Sequence, residues 1–360
     1  MIGGFLGAGK TTAMIELARY LHGRGRRVGL ITNDQSVDLV DTARVKAAGF
    51  AVEEITGGCF CCRFDSLVAA ADRLNHSTAP DVFIAEPVGS CTDLKATVAY
   101  PLRHLYGGSW AISPLSVMAD PARCRQALGL DGRPAFSEQV SYIYRKQLEE
   151  AEIIVINKID LLNASSRGCL RAELERQFPQ AQVREVSCLT GENMTAWFDE
   201  ILNGALGGGH CMEMDYDLYA DGEALLGWVN LMASLSSPQP FDGNQILFEM
   251  AGQVRRRLGR GGVQIAHLKL TLSPSDRAAL AAVSLTGMED APEAMHKLDG
   301  SLSAGVLTLN LRAEADPEQL KNEALAALAD LSPLQTGVMR VNAFRPARPN
   351  PTHRMAGATA

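Results

Sequence analysis

Three short stretches of this chain carry residues whose types and spacing suit chemistry. The first is Gly4-Phe5-Leu6-Gly7-Ala8-Gly9-Lys10-Thr11, followed by Thr12: a glycine, four residues, then Gly-Lys-Thr. Glycines let consecutive backbone N–H groups wrap an anion with no Cβ in the way, and a helix starting at the end of the loop turns its positive dipole on the same point. In such a P-loop Lys10 reaches the outer phosphates of a nucleoside triphosphate, and the Thr11 hydroxyl ligates Mg²⁺. A carboxylate at a neighbouring strand end must help hold that cation. Glu86 fits, because it closes the apolar run Val82-Phe83-Ile84-Ala85 and opens Glu86-Pro87-Val88-Gly89, where the Gly89 N–H can sense the γ-phosphate. Asp34 is a second carboxylate candidate for Mg²⁺ or the attacking water; a turn-forming Asp beside Asn33 is the competing reading.

The second stretch, Asn157-Lys158-Ile159-Asp160, follows the apolar run Ile153-Ile154-Val155-Ile156. A carboxylate offers two acceptors spaced to take the N1–H and N2–H₂ donors of guanine together. Adenine lacks that donor pair and would leave the carboxylate unpaired. Asn157 and Asp160 therefore select GTP over ATP, Lys158 can lay its stem over the base, and Ser187-Cys188-Leu189 can offer backbone N–H groups to the guanine carbonyl. An ATP-using kinase is the reading this stretch argues against.

The third stretch is Gly57-Gly58-Cys59-Phe60-Cys61-Cys62. Three thiols in four positions beside two glycines can converge on a soft or borderline cation such as Zn²⁺ or Co²⁺, with Cys59 and Cys61 or Cys62 as ligands. A buried patch of small apolar cysteines is the alternative.

The elements that must position these residues are legible as a strand–helix rhythm over the first two hundred positions. Strands are predicted at 27–33, 81–85, 110–119, 153–157 and 182–187. Helices are predicted at 11–22, 39–48, 64–74, 93–105, 137–150, 167–178 and 194–203. That rhythm predicts an α/β fold, a P-loop domain with a mostly parallel sheet that binds ligands at its carboxyl edge. Only Met1-Ile2-Gly3 precede the loop, so the first strand is expected as a stub or the start as trimmed. The domain spans 1–203 and a glycine-rich linker 204–212. A smaller α+β domain follows at 213–344, with strands near 213–219, 224–231, 265–272, 281–285, 306–312 and 337–344 and helices at 245–258 and 317–331. The Pro- and Arg-rich end, 345–360, is expected to be a disordered tail.

Composition narrows the function classes. Apolar residues make up 46% and charged residues 21% of 360, with a formal charge of −7. No basic stripe offsets phosphate repulsion, which argues against a nucleic-acid partner. No run approaches the roughly 18 apolar residues needed to span a membrane. The chain reads as cytoplasmic, where its eight cysteines would be reduced and available for metal or redox chemistry.

Taken in order, Gly-Phe-Leu-Gly-Ala-Gly-Lys-Thr-Thr, Gly-Gly-Cys-Phe-Cys-Cys, Glu-Pro-Val-Gly and Asn-Lys-Ile-Asp resemble the CobW-like GTPases of the CobW/HypB/UreG group over residues 1–203. The resemblance implies slow GTP hydrolysis to GDP, coupled to binding a transition metal and delivering it to a client metalloenzyme or corrinoid-pathway protein, and it leaves room for a homodimer. It assigns Lys10 and Thr11 to phosphate and Mg²⁺, Glu86 to Mg²⁺ sensing, Asn157 and Asp160 to guanine, and Cys59, Cys61 and Cys62 to the transition metal. The chain departs from many relatives in offering only His210 and Cys211 between domains and in carrying Asp34-Gln35 instead of Glu-Phe-Gly. Two other functions fit the same residues: a G-protein chaperone gating a corrinoid or metalloenzyme partner without carrying metal, and a redox-regulated GTPase switch.

Overall fold

The computed structural model describes residues 1–33, 40–132, 136–209 and 211–357; Asp34, Gln35 and His210 lie outside them. The chain divides into two compact units, one of Met1–Val37, Ala48–Gly222 and Arg348–Ala360, the other of Asp38–Ala47 and Glu223–Ala347.

In the first unit all strand pairs are parallel. Strands β1 (Ile2–Gly4), β5 (Ser116–Ala119), β6 (Ile153–Ile156) and β7 (Gln182–Glu185) form one ladder in the order β1-β5-β6-β7. Strands β3 (Ala51–Ile55), β2 (Val28–Asn33) and β4 (Val82–Glu86) form another in the order β3-β2-β4. Strands β2, β5 and β6 are buried at every position, as parallel strands covered on both faces must be, and this is why they read as unbroken apolar runs. The predicted strand 110–119 starts at Ser116, after Pro114, which has no N–H to give a ladder. Edge strand β3, with two glutamates and mostly half-buried side chains, gave no such run and was not expected.

Helices α1 (Lys10–His22), α3 (Phe64–Thr78), α6 (Glu138–Glu150), α7 (Ala164–Gln177) and α8 (Met194–Asn203) stand where the pattern predicts. The predicted helix 93–105 is a π-helical turn, Lys95–Ala99, running into α4 (Tyr100–Tyr106). An unpredicted α5 (Pro121–Ala127) starts where the Asp120 carboxylate accepts from the Arg123 N–H, with Pro121 in the first turn.

The second unit holds an antiparallel sheet, β11-β10-β9-β12-β8-β13. Its long strands are β8 (Leu226–Phe241), β9 (Gln264–Pro274), β12 (Leu302–Glu314) and β13 (Gln335–Phe344), with β10 (Ala281–Leu285) and β11 (Glu293–His296) toward one edge. Alternate residues such as Val229, Leu231, Ala233 and Leu235 meet Leu247, Met250, Val254 and Leu320 of α10 (Gly243–Arg260) and α11 (Pro317–Ala329) in one core. Sheet residues Asn310 and Lys269 hold α2 (Val40–Ala47), the former accepting from the Val40 N–H at 3.1 Å, the latter paired with Asp41 at 2.5 Å. Thus α2, though it follows β2 in sequence, belongs to the second unit. The predicted strand 213–219 leads instead into α9 (Tyr216–Leu225), because the Asp215 carboxylate takes the Asp217 and Leu218 N–H groups as a cap. No helix among the described residues is long and apolar enough to cross a membrane.

One buried carboxylate braces the first unit. Glu150, at the end of α6, accepts from the Thr92 hydroxyl and the Lys95 N–H, both at 3.2 Å. Burial raises its pKa to about 8, with the nearby Asp93 charge adding to the rise. A folded pKa above the unfolded value of about 4.3 means that folding binds a proton between the two, so this contribution is full below about pH 4 and lost as pH rises through 8. Glu150→Gln, which mimics the neutral acid, should gain on the order of a few kcal/mol over wild type between pH 5 and pH 8. Urea unfolding at both pH values measures this, and an equal effect at both would show Glu150 to be ionised in the native protein.

Candidate nucleotide site and thiol cluster

The glycine loop runs from β1 to α1, whose first residues, Lys10 and Thr11, are buried. Two of its glycines are dictated by space. A Cβ on Gly4 would lie 2.3 Å from the Met118 carbonyl oxygen, and one on Gly9 would lie 2.3 Å from Asn157 Nδ2; both have positive φ, +128° and +97°. Gly7 also has a positive φ, 81°. Lys10 Nζ folds over the loop and donates to the Phe5 carbonyl at 3.2 Å. Thr11 Oγ1 donates to Glu86 Oε1 at 3.0 Å, so the end of β4 is joined to the start of α1. Gly89 follows closely: a Cβ there would stand 2.7 Å from Leu6 Cδ2 and 3.0 Å from the Leu6 nitrogen, so its backbone lies directly on the glycine loop.

Asn157 is the hub of the second motif. Its Nδ2 donates to the Ala8 carbonyl at 2.9 Å, its Oδ1 accepts from the Cys188 N–H at 3.0 Å, and its own N–H donates to the Ala119 carbonyl at 3.0 Å. Lys158 takes a left-handed conformation and pairs with Asp120 Oδ2 at 2.7 Å. Burial pushes the Asp120 carboxyl up, but the Lys158 ammonium and the nearby Arg123 outweigh it and hold the group below its ordinary range. The Ser187 hydroxyl donates to Asp160 Oδ1 through a short bond, fixing the carboxylate. The Ser187 and Cys188 N–H groups donate to the Glu192 carbonyl and to Asn157, while Leu189 is exposed. The sequence reading missed Asp120, although it closes an apolar run as Glu86 does.

The three cysteines converge. The Sγ atoms of Cys59 and Cys61 are 2.8 Å apart, those of Cys59 and Cys62 3.2 Å, and those of Cys61 and Cys62 3.7 Å. They are one cluster of metal-ligating type among the described residues. Asn33, the last residue of β2, holds their loop by donating to the Ile55 and Gly58 carbonyls at 3.0 and 2.7 Å. Hydrogen bonds from Cys61, then Cys62 and Cys91, hold the Cys59 thiol well below its ordinary pKa. The bond to Cys59 pushes Cys61 well up and raises Cys62 to about 11.

Residues 348–357, which were expected in a disordered tail, run over this cluster. The Thr352 N–H donates to the Cys61 carbonyl at 2.8 Å, and the Asn350 N–H reaches Cys62 Sγ at 3.2 Å. Arg354 pairs with the buried Asp93 at 2.8 Å, the Met355 N–H donates to the Ala96 carbonyl at 2.9 Å, and the His353 ring stands edge-on to Phe64. Backbone donors and the ion pairs of Arg354 with Asp93 and Arg348 with Asp217 do the holding, which a Pro- and Arg-rich composition does not reveal.

A loop of glycines opening a buried helix, a Thr–carboxylate pair beside it and an Asn-Lys-x-Asp turn tied back to the loop define a P-loop nucleotide-binding domain. The family described as CobW/HypB/UreG, nucleotide-binding domain, matches residues 1–185, just over half of the 360, and the chain belongs to that family. It is similar to the zinc chaperone CobW of Sinorhizobium sp, 28% identical over 193 residues, covering 48% of this chain and 54% of that protein. It is likewise similar to the zinc chaperone YeiR of Escherichia coli strain K12, 29% identical over 178 residues, covering 48% and 49%. The chain thus matches about half the length of these relatives. Among solved structures, hydrogenase maturation factor HypB from Archaeoglobus fulgidus is 20% identical with a TM-score of 0.39, covering 55% of this chain and 85% of that one.

Two outcomes follow from this geometry. Gly9→Ala should weaken binding of a fluorescent GTP analogue by about 1–3 kcal/mol, the cost of forcing a side chain into that strained position. Gly108→Ala, whose Cβ would meet nothing within 4 Å, should bind as wild type does; equal affinities for all three proteins would mean that nucleotide binds elsewhere. Removing residues 348–360 should speed the reaction of Cys62 with a thiol reagent, followed by peptide mass mapping, and an unchanged rate would show that the segment does not cover it in solution.

Proposed function

We propose that this protein is a GTP-hydrolysing metal carrier that loads a thiophilic transition metal on Cys59, Cys61 and Cys62 and passes it to a client metalloprotein. The observation that carries this reading is the convergence of three reduced sulfurs, all within 4.8 Å of one another, in a loop anchored by Asn33 at the end of a strand of the nucleotide-binding sheet. Zinc is the cation we assign first, since thiolates suit it and relatives are named zinc chaperones; cobalt fits the same donors.

In this reading the backbone of Gly4 to Thr12 and the Lys10 ammonium cradle the phosphates. Thr11 and Glu86 supply hard oxygen donors 3.0 Å apart, a set that fits Mg²⁺. When bound, that ion neutralises charge on the β- and γ-phosphates. Asp160, oriented by Ser187, takes the two guanine donors. With the Ser187 and Cys188 N–H groups already engaged, the Leu189 N–H is assigned to the guanine carbonyl. Gly89, packed on Leu6, is placed to donate its N–H to the γ-phosphate. Water attacks the γ-phosphorus, the bond to the β-phosphate oxygen breaks, and inorganic phosphate leaves GDP behind. The Gly89 contact goes with the phosphate, and order in the neighbouring loops falls.

A titration of the reduced protein with Zn²⁺ or Co²⁺, with Mg²⁺ and either GTPγS or GDP present, tests this. Affinity should be about 5–150-fold higher with GTPγS, the span of ordinary site-to-site coupling. It should vanish when Cys59, Cys61 and Cys62 are all replaced by Ser. Equal affinity with both nucleotides would sink the coupling, and binding that survives the triple replacement would sink the site.

A further inference from the structure

Outside the nucleotide and thiol sites, one carboxylate is buried with a single oxygen matched. Asp93 is 1% exposed. Its Oδ2 accepts from the Tyr216 hydroxyl at 2.7 Å and from Arg354 Nε at 2.8 Å. Its Oδ1 has no hydrogen-bond partner among the described residues, and a buried polar atom without one is uncommon in a native protein. A guanidinium can serve both oxygens of a carboxylate at once, as a fork. Arg354 does not: it reaches Asp93 through Nε alone and gives Nη2 to the Met212 carbonyl at 3.1 Å. The acid itself is held firmly. It takes a left-handed φ of 63°, and its carbonyl accepts from the Thr97 N–H at 3.0 Å and the Thr97 hydroxyl at 2.7 Å.

Segment 348–357 lies against this acid through contacts that most extended chains could make. The Thr352 and Met355 N–H groups donate to the Cys61 and Ala96 carbonyls, the Asn350 N–H reaches Cys62 Sγ, and the Ala356 carbonyl accepts from the Cys211 N–H at 3.1 Å. Pro349 and Pro351 have no N–H to give, so the donors at 350 and 352 alternate with them. Main-chain bonding of this kind supplies affinity with little regard to sequence, and pockets supply the selectivity. Here the selective feature is the buried acid. We propose that these acceptors form a docking groove for a partner protein, which enters as an extended segment carrying an arginine, and that 348–357 is its internal stand-in. Taking that partner to be the client of the carrier rests on the carrier reading. The stand-in can be displaced because it leaves Asp93 Oδ1 unmatched. An arriving arginine that takes both oxygens gains one more charge-assisted hydrogen bond. The groove also passes the sulfurs, since the Asn350 N–H sits 3.2 Å from Cys62 Sγ. A client seated there uncovers Cys62 and brings its own groups to that sulfur in the same step.

The test uses the full chain without added metal, and its probe is a fluorescent peptide with the sequence of residues 346–357. Arg354→Ala loosens the stand-in; the Arg354 side chain is 36% exposed, so its removal opens no core. This variant should bind the peptide roughly 10–150-fold more tightly than wild type does, the span of one hydrogen bond to a charged group. It should also react faster than wild type at Cys62 with a thiol reagent, and saturating peptide should slow that reaction again. The same peptide carrying Arg354→Gln should neither bind as tightly nor protect Cys62. Adding Asp93→Asn to the Arg354→Ala chain should return peptide affinity to the wild-type level. Equal affinity of wild type and Arg354→Ala for the peptide, equal binding of the two peptides, or a Cys62 rate that the peptide leaves unchanged would each overturn the groove. If the peptide arms succeed while the wild type binds neither Zn²⁺ nor Co²⁺, the groove stands and its assignment to a metal client falls.

Discussion

The Asn157 side chain occupies the space that any Cβ at Gly9 would need. From there it bonds to the Ala8 carbonyl on one side and the Cys188 N–H on the other. A buried primary amide has a donor face and an acceptor face, and leaving either unmatched costs about 1–3 kcal/mol. Satisfying both fixes the distance between the phosphate loop and the loop after β7. Glycine at position 9, with φ +97°, is thus required twice, by its own backbone and by its neighbour. Asp160 then lies three residues along a turn whose first step, the left-handed Lys158, is held by the ion pair with Asp120. The glycine loop and the turn from Asn157 to Asp160 are thus parts of one hydrogen-bonded frame, so the guanine nucleotide of the proposed function would meet a site already shaped.

A second amide does the same for the sulfur loop. Asn33 gathers the Ile55 and Gly58 carbonyls, turning the chain after β3 back toward the end of β2, and Gly57 and Gly58 supply the positive φ values the turn needs. A third, Gln147, gathers the carbonyls of Gly89 and Cys91. Strand ends in a parallel sheet leave backbone groups without ladder partners, and these must be satisfied some other way when buried. Here three side-chain amides supply partners, and each one fixes the course of a loop that follows a strand. The brace at Glu150 extends the scheme to Thr92 and Lys95, beyond Cys91.

Much of this was legible in the residues. Continuous apolar runs gave β2, β4 and β6 because parallel strands are covered on both faces. The glycine loop and Asn157 to Asp160 stand where their motifs predict. Elements escaped notice where a local pattern was missing or misleading. Strand β3 carries charges at an edge, and the alternation of 213–219 imitates a strand while Asp215 caps α9. The two-unit division could not be read from sequence order, because α2 is joined to the second unit by contacts as distant in sequence as Asp41 with Lys269. The course of 348–357 is settled by backbone donors to Cys61 and Ala96, and backbone bonding leaves no mark on composition.

In the carrier proposed above, the chemistry of the two donor sets is what keeps its two cations apart. With Cys59 held low and Cys61 and Cys62 raised, negative charge in the cluster is favoured on Cys59 and opposed on the other two, since burying further uncompensated charge is costly. A cation that binds must displace the remaining protons, and the strength of its bonds to sulfur must outweigh that cost. Zinc and cobalt meet this demand; Mg²⁺ does not, because it dehydrates reluctantly and prefers oxygen. The oxygen pair of Thr11 and Glu86 carries the opposite preference. On the proposed reading, chemical hardness separates the two sites even where Mg²⁺ is in large excess, and protons compete with the transition metal for the thiolates.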